Sequence, residues 1–226
     1  MNAVVTGATG GIGSALVRML VGRGAQVFAM ARPSDGLDAL CAQTSAVAAP
    51  IDLRRPEEVP AAVRDLGGVD VLIHAAGIAD VVSIADSSHD LWQRHLTVNV
   101  TGPAELTRTL LPALRAAGGR VVFINAVAGL HGIANWSAYA ASKAALTELA
   151  DSLRLEEATS GVRVTSIYPG GVATELLRRV RGDFGRAFDP AACVSPDSLA
   201  AVVAGVLDAP ADVDITDVSL QPPPPR

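Results

Sequence analysis

A chain of 226 residues is long enough for one sizeable α/β domain and short for two. Half of the residues are hydrophobic but only 4% are aromatic, so the core must consist mainly of alanine, valine, leucine and isoleucine, as in a buried parallel sheet covered by Ala-rich helices. The net charge of −5 argues against nucleic acids and anionic membranes as partners, because both favour a basic surface.

The two cysteines, Cys41 and Cys193, lie far apart in the sequence. This is typical of reduced thiols and of neither a disulfide framework nor a metal site. The first residues form a strand-like segment without a cationic leader, and there is no apolar run of about eighteen residues. We therefore expect a soluble, cytoplasmic protein that binds no metal.

Strand and helix patterns alternate along almost the whole chain, which is typical of βαβ units and a parallel sheet. Short apolar, β-branched runs predict strands at Ala3–Thr6, Gln26–Met30, Ala46–Ile51, Val69–His74, Arg120–Asn125, Val162–Tyr168 and Asp214–Leu220. Helical patterns lie between them, at Gly13–Arg23, Asp35–Ala42, Pro56–Leu66, Asp90–Ala117, Ala138–Thr159 and Pro196–Leu207. The predicted fold is α/β: a single Rossmann-like three-layer domain over residues 1–226, with a doubly wound parallel sheet of about seven strands and helices on both faces.

Three local features modify this pattern. Gly102 and Pro103 should bend or interrupt the fourth helix, because proline lacks the amide hydrogen that a helix needs. After Tyr168 we expect only one clear helix and one strand, with a small substrate lid over residues 174–196. The proline-rich tail, residues 221–226, is predicted to be polyproline-like or disordered.

A glycine-rich turn, TGATGGIG at residues 6–13, follows the first strand and leads into a helix. Such a turn forms an anion site, because backbone N–H groups and the positive helix end face a phosphate. Its place after the first strand of a βαβ pattern favours dinucleotide binding over an ordinary turn. The predicted cofactor contacts here are Thr6, Gly7, Thr9, Gly11, Ile12 and Gly13.

The spacing G-x-x-x-G-x-G resembles the fingerprint of the short-chain dehydrogenase/reductase family, and further motifs follow in the family's order over about residues 1–174. They are Asp52 after the third strand, His74-Ala75-Ala76-Gly77 with histidine in place of the family's asparagine, Asn99 in VNVTG, Tyr139-Ala-Ala-Ser-Lys143, and Tyr168–Thr174. The resemblance implies an oxidoreductase that uses a nicotinamide cofactor. It also implies cofactor contacts from Asp52, Leu53, Ala75, Ala76, Gly77, Asn99, Tyr139, Lys143, Pro169, Gly170, Val172 and Thr174.

Tyr139 and Lys143 are the predicted catalytic pair. They are four residues apart and would project from one face of a helix. Hydride transfer to a carbonyl creates an alkoxide that needs a proton, and a phenol with a pKa of about 10 supplies it poorly at neutral pH. A nearby ammonium should lower the pKa of Tyr139 toward the working range. The resemblance implies further that Lys143 holds the nicotinamide ribose and that Asn99 supports a proton-relaying water chain.

The end of the second strand indicates the preferred cofactor. An acidic residue there accepts hydrogen bonds from a ribose 2′-hydroxyl and repels a 2′-phosphate, whereas arginine does the reverse. Ala31 occupies what looks like the family's acidic position, and Arg32 follows it. The sequence therefore favours NADP(H) over NAD(H), with a solvated surface arginine as the alternative interpretation.

Ala126 stands where the family carries a serine, and alanine cannot donate a hydrogen bond to the substrate carbonyl. Losing one such donor costs on the order of 10²–10³ in turnover. Asn125 should point to the opposite face of a regular strand, unless a distortion brings it round, and Ser137 should face away from Tyr139. Three explanations are open: a substitution engineered to trap a substrate complex, a natural enzyme that manages with Tyr139 alone or with Asn125, and a cofactor-binding relative with little catalysis.

The substrate pocket is predicted to be mainly apolar, with Asn125, Leu130, His131, Trp136 and Leu176 among its residues. His131 is more typical of a surface loop than of a proton relay. Arginines in the lid could attract an acidic substrate, but the acidic residues between them favour a solvated face. These arginines are Arg178, Arg179, Arg181 and Arg186.

The leading hypothesis is an NADPH-dependent carbonyl reductase, or an alcohol dehydrogenase in the reverse direction, that acts on a small-molecule ketone, aldehyde or secondary alcohol. The alternative is a catalytically weak NADP(H)-binding sensor or scaffold, which Ala126 favours and the retained Tyr139 and Lys143 oppose. Chain length and glycine spacing argue against a nucleotide-sugar epimerase or dehydratase. The resemblance implies a homodimer or homotetramer formed through the helices at Asp90–Ala117 and Ala138–Thr159.

Overall fold

The computed structural model describes residues 1–126 and 132–222. Leu130 and His131 of the predicted substrate pocket, and the end of the predicted tail, lie outside the described residues. None of the helices in the described part of the chain combines the length and the apolar character that crossing a membrane requires.

Seven parallel strands form a sheet in the order β3-β2-β1-β4-β5-β6-β7, which confirms the predicted doubly wound architecture. The strands are β1 (Asn2–Thr6), β2 (Gln26–Ala31), β3 (Val47–Pro50), β4 (Val71–His74), β5 (Arg120–Ile124), β6 (Arg163–Pro169) and β7 (Asp217–Leu220). The strand order reverses between β1 and β4. In open parallel sheets, ligands bind in the crevice at the carboxyl ends of the strands beside this reversal.

Helices cover both faces of the sheet. They are α1 (Gly11–Gly22), α2 (Asp35–Thr44), α3 (Val59–Ala62), α4 (His89–Leu96), α5 (Gly102–Ala117), α6 (Ser137–Glu156), α7 (Glu175–Asp183) and α8 (Pro196–Leu207). One apolar core packs α1, α2 and α8 against the sheet, through residues such as Leu16, Leu37 and Leu199. A second core packs α3, α5 and α6 on the other face, through residues such as Leu106 and Leu146.

Two helix predictions need correction. The stretch Pro56–Leu66 is a 3₁₀ turn (Pro56–Glu58) followed by the four residues of α3. Pro56 and Pro60 each remove a backbone donor from this short stretch, which limits helix propagation. The region after Tyr168 contains α7 in addition to the predicted helix, so residues 174–196 include a helix that the sequence did not predict.

The predicted interruption at Gly102 and Pro103 is present. α4 ends at Leu96, a π-helical turn spans Thr97–Thr101, and α5 begins at Gly102. Pro103 cannot donate the backbone hydrogen bond that an α-helix would direct to Asn99 four residues earlier. A Cβ at Gly102 would lie 3.0 Å from the carbonyl oxygen of Leu53, so the helix start also packs closely against the segment that follows β3. Single π-helical turns are frequent at functional sites, and this one carries Asn99.

His74, at the end of β4, is a buried polar residue of the sheet. It is 1% exposed, stacks on Phe123 with ring centroids 4.8 Å apart, and is hydrogen-bonded through Nε2 to Thr107 Oγ1 at 2.9 Å. Its Nδ1 atom has no hydrogen-bond partner among the described residues. Burial disfavours the imidazolium and lowers the pKa of His74 to about 3.

This buried imidazole predicts acid sensitivity. Between an unfolded-state pKa of about 6.5 and the folded value, the unfolded chain binds a proton that the folded protein does not, so stability falls as the pH falls. At pH 5 the loss relative to pH 7 should be about 2 kcal/mol in the free energy of unfolding. His74→Asn should remove this part of the pH dependence, as measured by urea unfolding at both pH values. Parallel pH curves for the two proteins would contradict the assignment.

Candidate active site

The ends of β1 and β4 are joined at the sheet reversal by Thr6. Its Oγ1 accepts hydrogen bonds from the backbone N–H groups of Ala75 (3.1 Å) and Ala76 (3.2 Å). Gly7 follows with a φ of +64°, and a Cβ there would lie 2.7 Å from backbone atoms of Ala76. Both the conformation and the close approach require glycine at position 7.

The rest of the glycine turn is equally compact. A Cβ at Gly13 would overlap the carbonyl oxygen of Gly7, and a Cβ at Gly11 would lie 2.8 Å from Thr174 Cγ2. The turn therefore brings the N-terminus of α1 to the crevice and into contact with the segment before α7. Free N–H groups and the positive end of a helix at this place suit an anionic phosphate.

Tyr139 and Lys143 of α6 line a cavity of about 390 Å³ at the carboxyl end of the sheet. Lys143 Nζ donates a hydrogen bond to the carbonyl oxygen of Ile124 at 3.1 Å. A Cβ at Gly77 would lie 3.4 Å from Asn99 Oδ1 and 3.8 Å from Lys143 Nζ. The structure thus brings Asn99 and Lys143 together at Gly77.

Asn99 is fixed by three hydrogen bonds. Its Oδ1 accepts from the Ile78 N–H (2.9 Å), and its Nδ2 donates to the Ile78 carbonyl (3.0 Å) and to Ser142 Oγ (2.9 Å). Ser142 Oγ in turn donates to the carbonyl oxygen of Tyr139 at 2.7 Å. The π-helical turn is therefore tied directly to the helix that carries Tyr139 and Lys143.

The structure gives the opposite direction from the one predicted for the Tyr139 pKa. Burial raises the pKa of the Tyr139 phenol and lowers that of the Lys143 ammonium to about 8. Both shifts have the same cause, because a site shielded from water disfavours the charged form of each group. Lys143 stays mostly protonated at pH 7, and Tyr139 is a neutral phenol that can donate a proton.

An aromatic wall formed by Trp136, Tyr139 and Phe184 closes one side of the cavity. The Trp136 ring stacks on Tyr139 with centroids 4.4 Å apart, and Phe184 meets Trp136 edge to face at 5.6 Å. Phe184 follows α7, so this wall joins the segment 174–196 to α6.

The region around Ala126 differs from the prediction in one respect. β5 ends at Ile124, and Asn125 and Ala126 both line the cavity. Asn125 Nδ2 donates to Thr147 Oγ1 at 2.9 Å, so its side chain points toward α6 and not to the opposite face. The alternation of a regular strand no longer applies beyond Ile124.

Ser137 Oγ is buried without a hydrogen-bond partner among the described residues, and Ser137 is not among the residues of the cavity wall.

A second cavity lies at the ends of β2 and β3 and includes Thr9 of the glycine turn. Asp52 accepts hydrogen bonds from Arg54 Nε at 3.0 and 2.9 Å, and Arg54, with a smaller effect from Arg32, lowers the pKa of Asp52. Arg55 pairs with Glu58 at 2.7 Å.

Arg32 differs from its two arginine neighbours, since it makes no ion pair within residues 1–126 and 132–222. Arg54 and Arg55 were missed by the sequence reasoning, although their position was readable. They directly follow the third strand, and the carboxyl ends of neighbouring parallel strands meet at one edge of a sheet.

The structure places most other predicted contacts around the first cavity. Its wall includes Ile12, Ala75, Ala76, Gly77, Trp136, Pro169, Gly170, Val172, Thr174 and Leu176. Leu53, by contrast, is 6% exposed within the apolar core and lines neither cavity.

This fold and this site define an oxidoreductase with a Rossmann-like sheet. The chain belongs to the short-chain dehydrogenase/reductase family, because the family model described as short chain dehydrogenase matches residues 1–184.

Similar proteins are found over nearly the whole chain. An uncharacterized oxidoreductase of Staphylococcus aureus is 31% identical and is covered over 96% of its length by 97% of this chain. Dehydrogenase/reductase SDR family member 11 of Bos taurus is 32% identical, with coverage of 97% of this chain and 95% of the relative. A glycine betaine reductase of Emericella nidulans is 37% identical, but the match covers 77% of this chain and only 15% of that protein.

Solved structures show the same fold. A variant of actinorhodin polyketide ketoreductase with NADPH superposes with a TM-score of 0.87 at 29% identity, over 98% of this chain and 95% of that one. Serine dehydrogenase complexed with NADP+ superposes with a TM-score of 0.88 at 25% identity, also over 98% of this chain and 95% of that one. Both similar structures contain a nicotinamide cofactor with a 2′-phosphate.

Proposed function

We propose that this protein is an NADPH-dependent carbonyl reductase that reduces ketones or aldehydes, or oxidises secondary alcohols in the reverse direction. The observation that carries this proposal is the convergence of Tyr139, Lys143 and Asn99 beside the cavity at the sheet reversal. A proton donor, a cation and a fixed amide next to a dinucleotide crevice are what carbonyl reduction requires.

The crevice fits a nicotinamide dinucleotide. Gly7, Gly11 and Gly13 leave no room for a side chain, because a Cβ at each would meet other protein atoms, and this close packing sets the turn and the N-terminus of α1 at the crevice, where backbone N–H groups suit a pyrophosphate. Asp52 lies in the second cavity, which the adenosine part of the cofactor would occupy. Bound at this site, the cofactor supplies the hydride.

Tyr139 acts as the general acid in the proposed mechanism. As the carbonyl carbon is reduced, the O–H bond of Tyr139 breaks and its proton passes to the carbonyl oxygen, which leaves a phenolate and an alcohol. The Lys143 ammonium, with a pKa lowered to about 8, stabilises that phenolate electrostatically. Asn99 holds the π-helical turn against α6 and so fixes the position of the helix that carries Lys143 and Tyr139. Residues 174–196, through α7 and Phe184, act as the lid that excludes water.

NADPH is the proposed cofactor because of Arg32. Arg54 and Arg55 are already paired with carboxylates, whereas Arg32 lacks an ion-pair partner in the described part of the chain. An exposed guanidinium at the end of β2 is suited to a ribose 2′-phosphate. The NADPH- and NADP+-containing structures that resemble this chain give independent support.

Arg32→Ala should raise the KM for NADPH about 10- to 100-fold and change the KM for NADH little. This increase in KM corresponds to the loss of one charge-assisted hydrogen bond to NADPH, which contributes about 1.5–3 kcal/mol to binding. The measurement is steady-state kinetics with both cofactors. Arg18→Ala, which removes the same charge from an exposed position of α1, should leave both KM values unchanged. Equal effects of Arg32→Ala on NADPH and NADH would refute the assignment.

The direct test of the proposed activity is NADPH oxidation in the presence of a panel of aldehydes and ketones. Turnover of any member supports the carbonyl reductase. Tight NADPH binding without turnover would favour the second candidate, an NADP(H)-binding sensor or scaffold. The specific observation behind that candidate is Ala126, which lines the cavity without a hydrogen-bond donor in its side chain.

A further inference from the structure

The arginines of the lid segment, residues 174–196, differ in what they contact. Arg178 pairs with Glu175 at 3.4 Å. Arg179 lies 3.8 Å from Asp80 and donates a hydrogen bond to the carbonyl oxygen of Ala79 at 3.1 Å. Each of these two guanidinium groups therefore has a carboxylate within 4 Å, and Arg179 ties α7 to the segment that follows β4.

Arg181 and Arg186 are different, since neither has a carboxylate within 4 Å among residues 1–126 and 132–222. Both line the cavity beside Tyr139. Arg181 is half-buried and donates to the Ala187 carbonyl oxygen at 3.1 Å. Arg186 lies with its guanidinium over the Phe184 ring, 5.1 Å from the centroid.

The charged side chains in the described wall of this cavity are all positive. Among the described residues of its wall, the charged side chains are Lys143, Arg181 and Arg186, and none is an aspartate or a glutamate. Most of the remaining wall is apolar and aromatic. Arg181 is half-buried and Arg186 is exposed, and two positive charges without a carboxylate beside them favour an anion at this cavity. The planar fork of arginine matches the oxygens of a carboxylate or a phosphate.

From this arrangement we infer that the substrate is a carbonyl compound with an apolar or aromatic body and an oxyanion group, and that Arg181 and Arg186 bind the oxyanion while the carbonyl reaches Tyr139. The inference rests on the proposed carbonyl reductase function. It departs from the expectation of a solvated basic face for the two arginines that line the cavity, Arg181 and Arg186.

Matched substrates test this inference. We would compare para-carboxybenzaldehyde, its methyl ester and para-formylphenyl phosphate, which differ in the oxyanion but share the ring and the aldehyde. The acid or the phosphate should have a kcat/KM at least about tenfold above that of the ester, and added salt should reduce the difference. The preferred anion identifies the oxyanion class. Equal kcat/KM values for all three compounds would overturn the inference.

Matched variants locate the effect. Arg181→Ala and Arg186→Ala should each lower kcat/KM for the preferred anion about tenfold, mainly through KM, and should affect the ester much less. Arg178→Ala, which removes an arginine already paired with Glu175, should leave all three substrates unaffected. Arg181→Ala could instead raise the Kd of NADPH and the KM of every substrate alike. Arg181 would then contact the cofactor phosphates, and its part in the inference would be wrong.

A binding measurement separates this inference from the proposed activity. The chain has two tryptophans, so Trp92→Phe leaves Trp136, in the cavity wall, as the fluorescent reporter. Quenching by the acid at lower concentration than by the ester, and loss of that difference in Arg186→Ala, would support oxyanion binding even if no aldehyde were reduced. Identical quenching by acid and ester would refute it, whatever the turnover.

Discussion

Replacing Tyr139 by Phe should lower carbonyl reduction by about 10²–10⁴-fold, the range that general acid catalysis contributes. The substitution removes only the hydroxyl and keeps the ring that stacks on Trp136. The geometry of the cavity should therefore survive, while the alkoxide that develops on the substrate loses its proton donor. The measurement is kcat for NADPH oxidation with the best substrate of the panel, together with the Kd of NADPH, which should stay within about twofold.

Tyr168→Phe is a matched control, because the chain contains two tyrosines and this substitution deletes the same atom elsewhere. Tyr168 lies in β6 and is buried, but it is not part of either cavity wall. Its variant should keep nearly full activity. A Tyr139→Phe protein as active as the Tyr168→Phe protein would remove Tyr139 from the mechanism and leave the cavity without its general acid.

The sequence predicted those parts of the site whose residues lie close together along the chain. The glycine turn needs a strand, a reversal and a helix in immediate succession, and Gly7 and Gly13 are fixed by contacts within that succession. Tyr139 and Lys143 are one helical turn apart, so their shared face follows from helix geometry alone. The doubly wound parallel sheet follows from the alternation of strand and helix patterns, and the choice of Asn99 as a site residue follows from the family resemblance.

The parts that could not be predicted depend on packing between distant segments. The pKa of Tyr139 rises because the phenol is buried in the folded protein, and no spacing within α6 reports that burial. Helix α7 is only nine residues long, so its apolar residues Leu176, Leu177 and Val180 span little more than one helical turn, which is too short for a distinctive helical period. The pairing of Arg179 requires Asp80, about a hundred residues away in sequence, whereas Arg178 pairs locally with Glu175.

Ala126→Ser should raise the turnover of carbonyl substrates by about 10²–10³-fold, the cost of one missing oxyanion donor. Position 126 lines the same cavity as Tyr139, and the strand has already ended at Ile124, so a hydroxyl there faces the reacting carbonyl without disturbing the sheet. The measurement is kcat with and without the substitution, on one substrate and at one pH. The same substitution in a Tyr139→Phe background should give little recovery, because an oxyanion donor does not replace the proton donor.

Unchanged turnover in Ala126→Ser would mean that another group already donates to the oxyanion. Asn125 is the candidate, since its side chain points toward α6 and its amide has a second hydrogen besides the one donated to Thr147. Asn125→Ala should then lower kcat in the unsubstituted protein by a similar 10²–10³-fold and lower it much less in Ala126→Ser. If both variants match the unsubstituted protein, neither position donates to the oxyanion and Tyr139 alone stabilises it.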